Sequence, residues 1–259
     1  FISKNITDTG YRAFRQSSNV ESLIFEEGFD GFSTGAGDTD FFGNNSDKLK
    51  ELTIPSSITT IPNGTFKRMN ALEKIEFMGN PTIATGAFRK DLMTNATVYC
   101  AKSATNVISW AQNTENSTQL KVVTYIAKGT FENGMNWLVD GDEGNYSLTI
   151  DGAGAIPNFT VENPAPWSEW ASEIKSVKLD SEVTAIGAKA FDGFDALDSI
   201  DIPTAVTLID DDAFGTMKDG FKIYCTTDYV ADYAVSKGFA YAKGSTLSNG
   251  IKWVVDGST

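Results

Sequence analysis

Leu49-Lys50-Glu51-Leu52-Thr53-Ile54-Pro55-Ser56-Ser57-Ile58-Thr59-Thr60-Ile61 runs on to Gly64-Thr65-Phe66, and the chain then repeats the phrase. It returns as Leu72, Ile75 and Phe77, closing on Ile83 and Gly86-Ala87-Phe88. Two further copies read Ile174, Val177, Leu179, Val183, Ile186, Gly187, Phe191 and Leu197, Ile200, Ile202, Pro203, Val206, Ile209, Phe214. The central apolar positions fall at Leu52, Ile75 and Val98, then at Val177, Ile200 and Ile223, each step being 23 residues. Within a copy, Leu49, Leu52 and Ile54 mark a short strand with one buried face. Pro55 ends it, because proline has no amide hydrogen and fixes a turn. Ile58, Ile61 and Phe66 then come back beneath the strand to meet their counterparts one copy away. A single copy cannot bury its own apolar face, so stability requires at least about three in a stack. The spacing predicts an α/β repeat solenoid, with a parallel β ladder of about 23 residues per repeat and a second inner stripe of phenylalanines.

A longer period is superimposed. Leu52 and Val177, Ile75 and Ile200, Val98 and Ile223, and Cys100 and Cys225 are each 125 residues apart. A Tyr-Cys pair closes each trio, followed by a helical segment, 106–112 in the first case and 229–237 in the second. Gly134-Met135-Asn136-Trp137-Leu138-Val139-Asp140-Gly141 recurs as Gly250-Ile251-Lys252-Trp253-Val254-Val255-Asp256-Gly257. The expected organisation is two tandem short repeat arrays with a small β-rich module between them. The first array with its helical cap takes 1–126, the connecting module 127–173, the second array and cap 174–246, and the start of a further module 247–259. Ile2, Ile6 and Phe14 keep the spacing of Ile54, Ile58 and Phe66 without a preceding strand. With the module begun at Gly250, this leads us to expect a piece of a longer protein.

The chain has 259 residues, enough for one or two domains at roughly 150 each. It carries 21 basic and 34 acidic residues, a net charge of -13. Such a surface repels nucleic acid and anionic lipid. There is no uncharged apolar run of about 18 residues, so no membrane insertion is expected within the chain. The histidine count is zero, so Ser-His and Cys-His nucleophile pairs and histidine metal sites cannot be built. Two cysteines make neither a disulfide scaffold nor a zinc cluster. Cys100 and Cys225 sit at inward strand positions and read as buried free thiols. No catalytic residue, cofactor or metal is expected, and the chain reads as a non-enzyme. A carboxylate-based glycosidase would need a facing acidic pair that the repeats do not supply.

These phrases resemble the BspA-like leucine-rich repeat family, bacterial surface proteins also found in some protists. The match rests on Leu-x-x-Leu-x-Ile-Pro-x-x-Ile-x-x-Ile-x-x-Gly-x-Phe at 49–66 and its relatives. It rests also on Gly134 to Trp137, on Leu148-Thr149-Ile150-Asp151-Gly152-Ala153-Gly154-Ala155-Ile156-Pro157, and on Ala165-Pro166-Trp167 leading into Ile174. The resemblance implies a curved solenoid on an extracellular, cell-surface or secreted protein that binds host or matrix glycoproteins, or glycans. It transfers a fold and a habitat, with no catalytic residue.

Candidate ligand-binding residues follow from the outward strand positions. They are Ile24, Thr53, Glu76 and Tyr99 in the first array, and Lys178, Asp201 and Tyr224 in the second. Tyr99 and Tyr224 end their arrays, where an exposed ring meets a protein or sugar; the plainer reading has each ring covering the array end under the next helix. Leu23 to Leu52 is 29 residues, six more than the standard step. The extra length falls in a glycine-rich insertion over 28–37 that carries Phe29 and Phe32, a loop suited to binding. There too the plainer reading tucks the aromatics back onto the array. Asp140-Gly141-Asp142-Glu143-Gly144-Asn145 faintly resembles a calcium loop, but it lacks the final glutamate and flanking helices and reads as a hairpin turn. Asp210-Asp211-Asp212 reads as a solvated bend. Trp137, Trp167 and Trp253 read as core anchors, while Trp110 and Trp170 stay open. Asn-x-Ser/Thr sequons occur at Asn5, Asn44, Asn63, Asn95, Asn116, Asn145 and Asn158, and in a bacterial protein none is expected to carry a glycan. Three functions remain: a surface binding protein or adhesin, an architectural spacer of a larger surface protein, and a carbohydrate-binding surface module.

Overall fold

The computed structural model describes residues 2, 3, 5, 19–29, 31–32, 48–67, 69–113, 119–246 and 252–257. Ile6, Phe14, residues 33–37 of the insertion, the sequons at Asn44 and Asn116, and Gly250 lie outside the described residues, as does the side chain of Trp253. The chain divides into two compact units, Phe1–Tyr125 and Ile126–Thr259.

Unit 1 carries β1 (Ser22–Ile24), β2 (Glu51–Ile54), β3 (Thr60–Ile61), β4 (Lys74–Phe77), β5 (Thr82–Ile83), β6 (Thr97–Ala101), α1 (Thr105–Gln112) and β7 (Lys121–Tyr125). Strands β1, β2, β4, β6 and β7 lie side by side in chain order, every pair parallel. Leu23 pairs with Leu52, Leu52 with Ile75 and Ile75 with Val98, which puts the four central apolar residues in one buried row. The 29-residue step is therefore absorbed between β1 and β2 without breaking the register. Beneath this sheet β3 pairs with β5, and Phe66 bridges to Phe88. The rings form a continuous inner stack: Phe32 to Phe66 at 5.1 Å, Phe66 to Phe88 at 4.9 Å and Phe88 to Trp110 at 4.9 Å between centroids. Trp110, on α1, ends that stack, which gives the tryptophan its role. Each such buried ring contributes about 1.5–3 kcal/mol.

The glycine of the Gly-x-Phe phrase has a steric cause. A Cβ on Gly86 would collide with Oδ1 of Asn63, the side chain one repeat earlier. At the Gly86 position the later copies carry Lys189 and Asp212, so the constraint is local to the turn that meets Asn63. Gly187, at a different place in its copy, has another cause: a Cβ there would meet the backbone carbonyl of Pro157.

Unit 2 begins with β8 (Ala127–Thr130), β9 (Asn136–Asp142), β10 (Asn145–Asp151) and β11 (Gly154–Ile156). It continues with β12 (Ile174–Leu179), β13 (Val183–Ile186), β14 (Ser199–Asp201), β15 (Leu208–Ile209), β16 (Lys222–Cys225), α2 (Asp228–Ser236), β17 (Ala240–Thr246) and β18 (Lys252–Gly257). β8, β9 and β10 form an antiparallel meander, and β10 pairs in parallel with β12. The turn between Asp142 and Asn145 is a hairpin, as the 140–145 stretch reads. β14, β16 and β17 run parallel, and β18 pairs antiparallel with β17. A lower sheet of β11, β13 and β15 underlies them, with Phe191 bridging to Phe214.

Met135, Val139, Leu148, Ile150 and Trp167 share one core with Val183, Phe191, Ile200 and Ile223. The residues read as a connecting module thus supply the first layer of that core. Trp167 is fully buried, and its indole nitrogen donates to the Ala190 carbonyl at 2.8 Å, so the ring costs no unpaired donor. Val177, expected at the centre of a buried row, is only half-buried.

Candidate binding face

Strand alternation aims one set of side chains away from each core. In unit 1 that set includes Ile24, Thr53, Glu76 and Tyr99, which lie next to one another across β1, β2, β4 and β6. Their exposure is uneven. Ile24 is 44% exposed, Thr53 and Tyr99 are half-buried, and Glu76 is only 7% exposed. Lys74, two residues before Glu76 on the same face, draws the row together. Its ammonium lies 3.5 Å from a Glu76 carboxylate oxygen and 5.5 Å from the Tyr99 ring centroid. Three predicted or neighbouring contact groups are thereby spent on one another.

Phe29 and Phe32 correct the expectation of a binding insertion at those two positions. Both rings are buried against Phe25, at 4.9 and 5.3 Å, and Phe32 against Phe66 as well. The cost of leaving two phenyl rings in water outweighs any loop preference, so they join the inner stack. Ser57 holds the start of the insertion, accepting from the Gly28 amide and donating to the Phe29 carbonyl.

Unit 2 keeps its row open. Lys178 on β12 and Asp201 on β14 are exposed, and Asp201 pairs with Tyr224 on β16, which is 42% exposed. Tyr224 in turn pairs with Ala242 on β17. Beside them opens a groove of about 460 Å³, whose lining includes Asp201, Tyr224, Ile202, Pro203 and Leu179. Its other wall is a column of hydroxyls, Ser181, Thr204 and Thr226, with the Thr204 and Thr226 oxygens 2.7 Å apart. Sequence reasoning missed this column, although its members recur 23 and 22 residues apart, just past β12, β14 and β16. The groove thus brings two of the predicted residues together with a hydroxyl ladder and an apolar strip.

The groove offers a phenol, a carboxylate, hydroxyls and an apolar strip. Cys225 lines the groove but is buried and free, and burial pushes its thiol above the ordinary range; Cys100 behaves alike in unit 1. A thiol held protonated is a poor nucleophile. Among the described residues no group of three or more Cys, Asp or Glu is placed to hold a metal ion. Asp210, Asp211 and Asp212 are engaged in the repeat turn: the Asp212 amide donates to Asp210, and Lys237 pairs with Asp211 at 3.0 Å.

The pattern described as BspA type leucine rich repeat region matches in six copies, over residues 1–114, 39–137 and 169–237. The chain belongs to the BspA-type leucine-rich-repeat family. Among solved structures, this BspA-type chain is similar to a leucine rich cell surface protein from Faecalibacterium prausnitzii A2-165. The two are 15% identical over 86% of this chain and 71% of that one, with a TM-score of 0.22. No curated protein matches the chain. Among the described residues parallel strands dominate the sheets, none of which closes into a barrel, and helices are few. Among the described residues no helix is long and apolar enough to cross a membrane, which leaves strand-built spans unaddressed.

Proposed function

We propose that this chain is a non-enzymatic surface protein that binds a partner protein through the outward face of unit 2. In this reading the repeats build a solenoid of about 23 residues per turn, displayed outside the cell, and the partner is a host or matrix glycoprotein. The observation that carries it is the exposed Tyr224 ring beside Asp201 at the mouth of the groove. Tyrosine supplies a large rigid contact surface with a polar tip, the make-up of an interface hot spot. The ladder behind it is ordered before binding, so little entropy is lost on contact.

The test is binding of the purified chain to immobilised fibronectin and fibrinogen in low and high salt. With a net charge of -13, weak electrostatic sticking vanishes on screening. Saturable binding that survives salt and weakens at least about tenfold for Tyr224→Ala supports the face. Binding that Tyr224→Ala leaves untouched sinks it. A spacer role is favoured for unit 1 by the contacts of Lys74 with Glu76 and Tyr99, which cover that row and leave it less open to a partner.

A further inference from the structure

A second groove, of about 500 Å³, opens in unit 1 between α1 and the turn that follows β5, well within the size range of small-ligand sites. One wall is a single helical face: Asn106, Ser109 and the C-cap Asn113 follow one another at three- and four-residue spacing. Thr82 and Thr85 line it from the turn side, and both are exposed. Ile83, Phe88 and Trp110 supply the apolar part of the lining, the two rings mostly covered.

The two exposed charges of the lining, Arg89 and Asp91, are paired with each other. Arg89 and Asp91 make a two-pronged pair, Nε to Oδ1 at 2.9 Å and a terminal guanidinium nitrogen to Oδ2 at 2.7 Å. The Lys90 ammonium is turned away into the end of α1, donating to the carbonyls of Trp110 at 2.6 Å and Asn113 at 2.7 Å, where the helix dipole offsets it. On a molecule of net charge -13 the space therefore presents hydroxyls, amides and a fixed donor–acceptor pair, with the Lys90 charge directed into the helix end.

We infer that this groove is a binding site for an uncharged hexopyranose ring, separate from the Tyr224 face. A pyranose carries hydroxyls that both donate and accept, which Ser, Thr and Asn side chains match in kind. Neighbouring hydroxyls on the ring suit the Arg89–Asp91 pair, which keeps an N–H donor and a carboxylate acceptor in one plane. The C–H face of the sugar suits the apolar strip made by Ile83 and the edge of Trp110. An anion meets Asp91 and the overall negative charge, and a cation meets Arg89 and Lys90, so a neutral ligand fits best.

The experiment is a titration of the isotope-labelled chain with methyl α-mannoside, methyl β-galactoside and N-acetylglucosamine, followed by amide chemical shifts. N-acetylneuraminic acid serves as the charged control. The expected result is saturable shifts confined to Thr85, Arg89, Asn106 and Ser109 for at least one neutral sugar. Ser109→Tyr, which fills the groove from an exposed helix position, weakens binding at least about tenfold. Arg89→Ala, at the rim, weakens it without altering the rest of the spectrum. Tyr224→Ala leaves the sugar shifts as they are, so failure of the protein-binding face and failure of this site are read separately. Retention of asialofetuin before but not after enzymatic removal of its glycans identifies a protein-borne source, whereas shifts with the methyl glycosides alone identify a free saccharide. No saturable shift with any neutral sugar, equal binding by Ser109→Tyr, or preference for the sialic acid overturns the proposal.

Discussion

Tyr125 holds its hydroxyl 3.3 Å from the Phe77 carbonyl while its ring is buried at the end of unit 1. Burial first, and then the nearby Cys100, push its phenol up to about 12 from an ordinary value of 10.0. A phenol raised in this way keeps its proton in the folded state at a pH where the unfolded chain has lost it. Its contribution is therefore whole below about pH 10 and is lost as pH rises through about 12, some 2–3 kcal/mol over the window. Burial raises Cys100 from 9.0 in the same sense, so the alkaline decline of unit 1 begins earlier, and buried Tyr233 adds its share in unit 2. Tyr125→Phe is expected to stay within about 1 kcal/mol of the parent at neutral pH, because the ring stays buried and the hydrogen bond to Phe77 is long. Between pH 10 and 12 its melting temperature should fall less steeply than the parent's. Melting followed by circular dichroism across that window checks the assignment, and parallel curves for the two proteins would sink it.

At the level of elements, α1 owes its end to a lysine twenty residues away. Lys90 is buried, with its ammonium donating to the carbonyls of Trp110, Asn113 and, at 3.4 Å, Ala111. Those are the orphan carbonyls of a helix terminus, and a cation there also meets the negative end of the dipole. Lys90→Met keeps the apolar stem but removes the cap, and it should cost unit 1 about 1–3 kcal/mol. Faster hydrogen exchange along α1 and a lower melting temperature are the expected readouts; a variant that exchanges and melts like the parent shows that water caps the helix equally well. No sequence pattern reveals this contact, since it joins a repeat turn to a helix end across a gap that no local period encodes. The helices themselves were legible, because each follows a Tyr-Cys pair that closes a 23-residue rhythm: 106–112 became Thr105–Gln112, and 229–237 became Asp228–Ser236. Asp201 and Tyr224 were legible for the same reason, as alternation and spacing fix which face a strand residue takes. Phe29 and Phe32 were not, because a glycine-rich insertion has no period to say where its rings turn. Glu76 shows a third limit. Alternation put it outward, and its covering by Lys74 and Tyr99 comes from neighbouring strands.

At the scale of the molecule, two buried clusters account for the fold, one from Ile2 to Leu120 and the other from Met135 to Ala234. Leu52 lies deep in the first, in ladder register between Leu23 and Ile75, and is only 1% exposed. Leu52→Asp places a charge with no partner in that row, and a buried unpaired carboxylate costs several kcal/mol even after its pKa shifts. A domain of this size is stable by about 5–15 kcal/mol in all, so one such change consumes a large part of it. Because stacked repeats rely on their neighbours, the loss should spread along unit 1 and not stay at one strand. The second cluster contains none of those residues, so unit 2 is expected to keep its own cooperative transition and its Tyr224 face. Calorimetry should then show the unit 1 transition lost or moved far down, with the unit 2 transition in place. Amide spectra should retain the signals of β14 and β16. An unchanged trace would remove Leu52 from the core, and loss of both transitions together would mean that the two clusters fold as one.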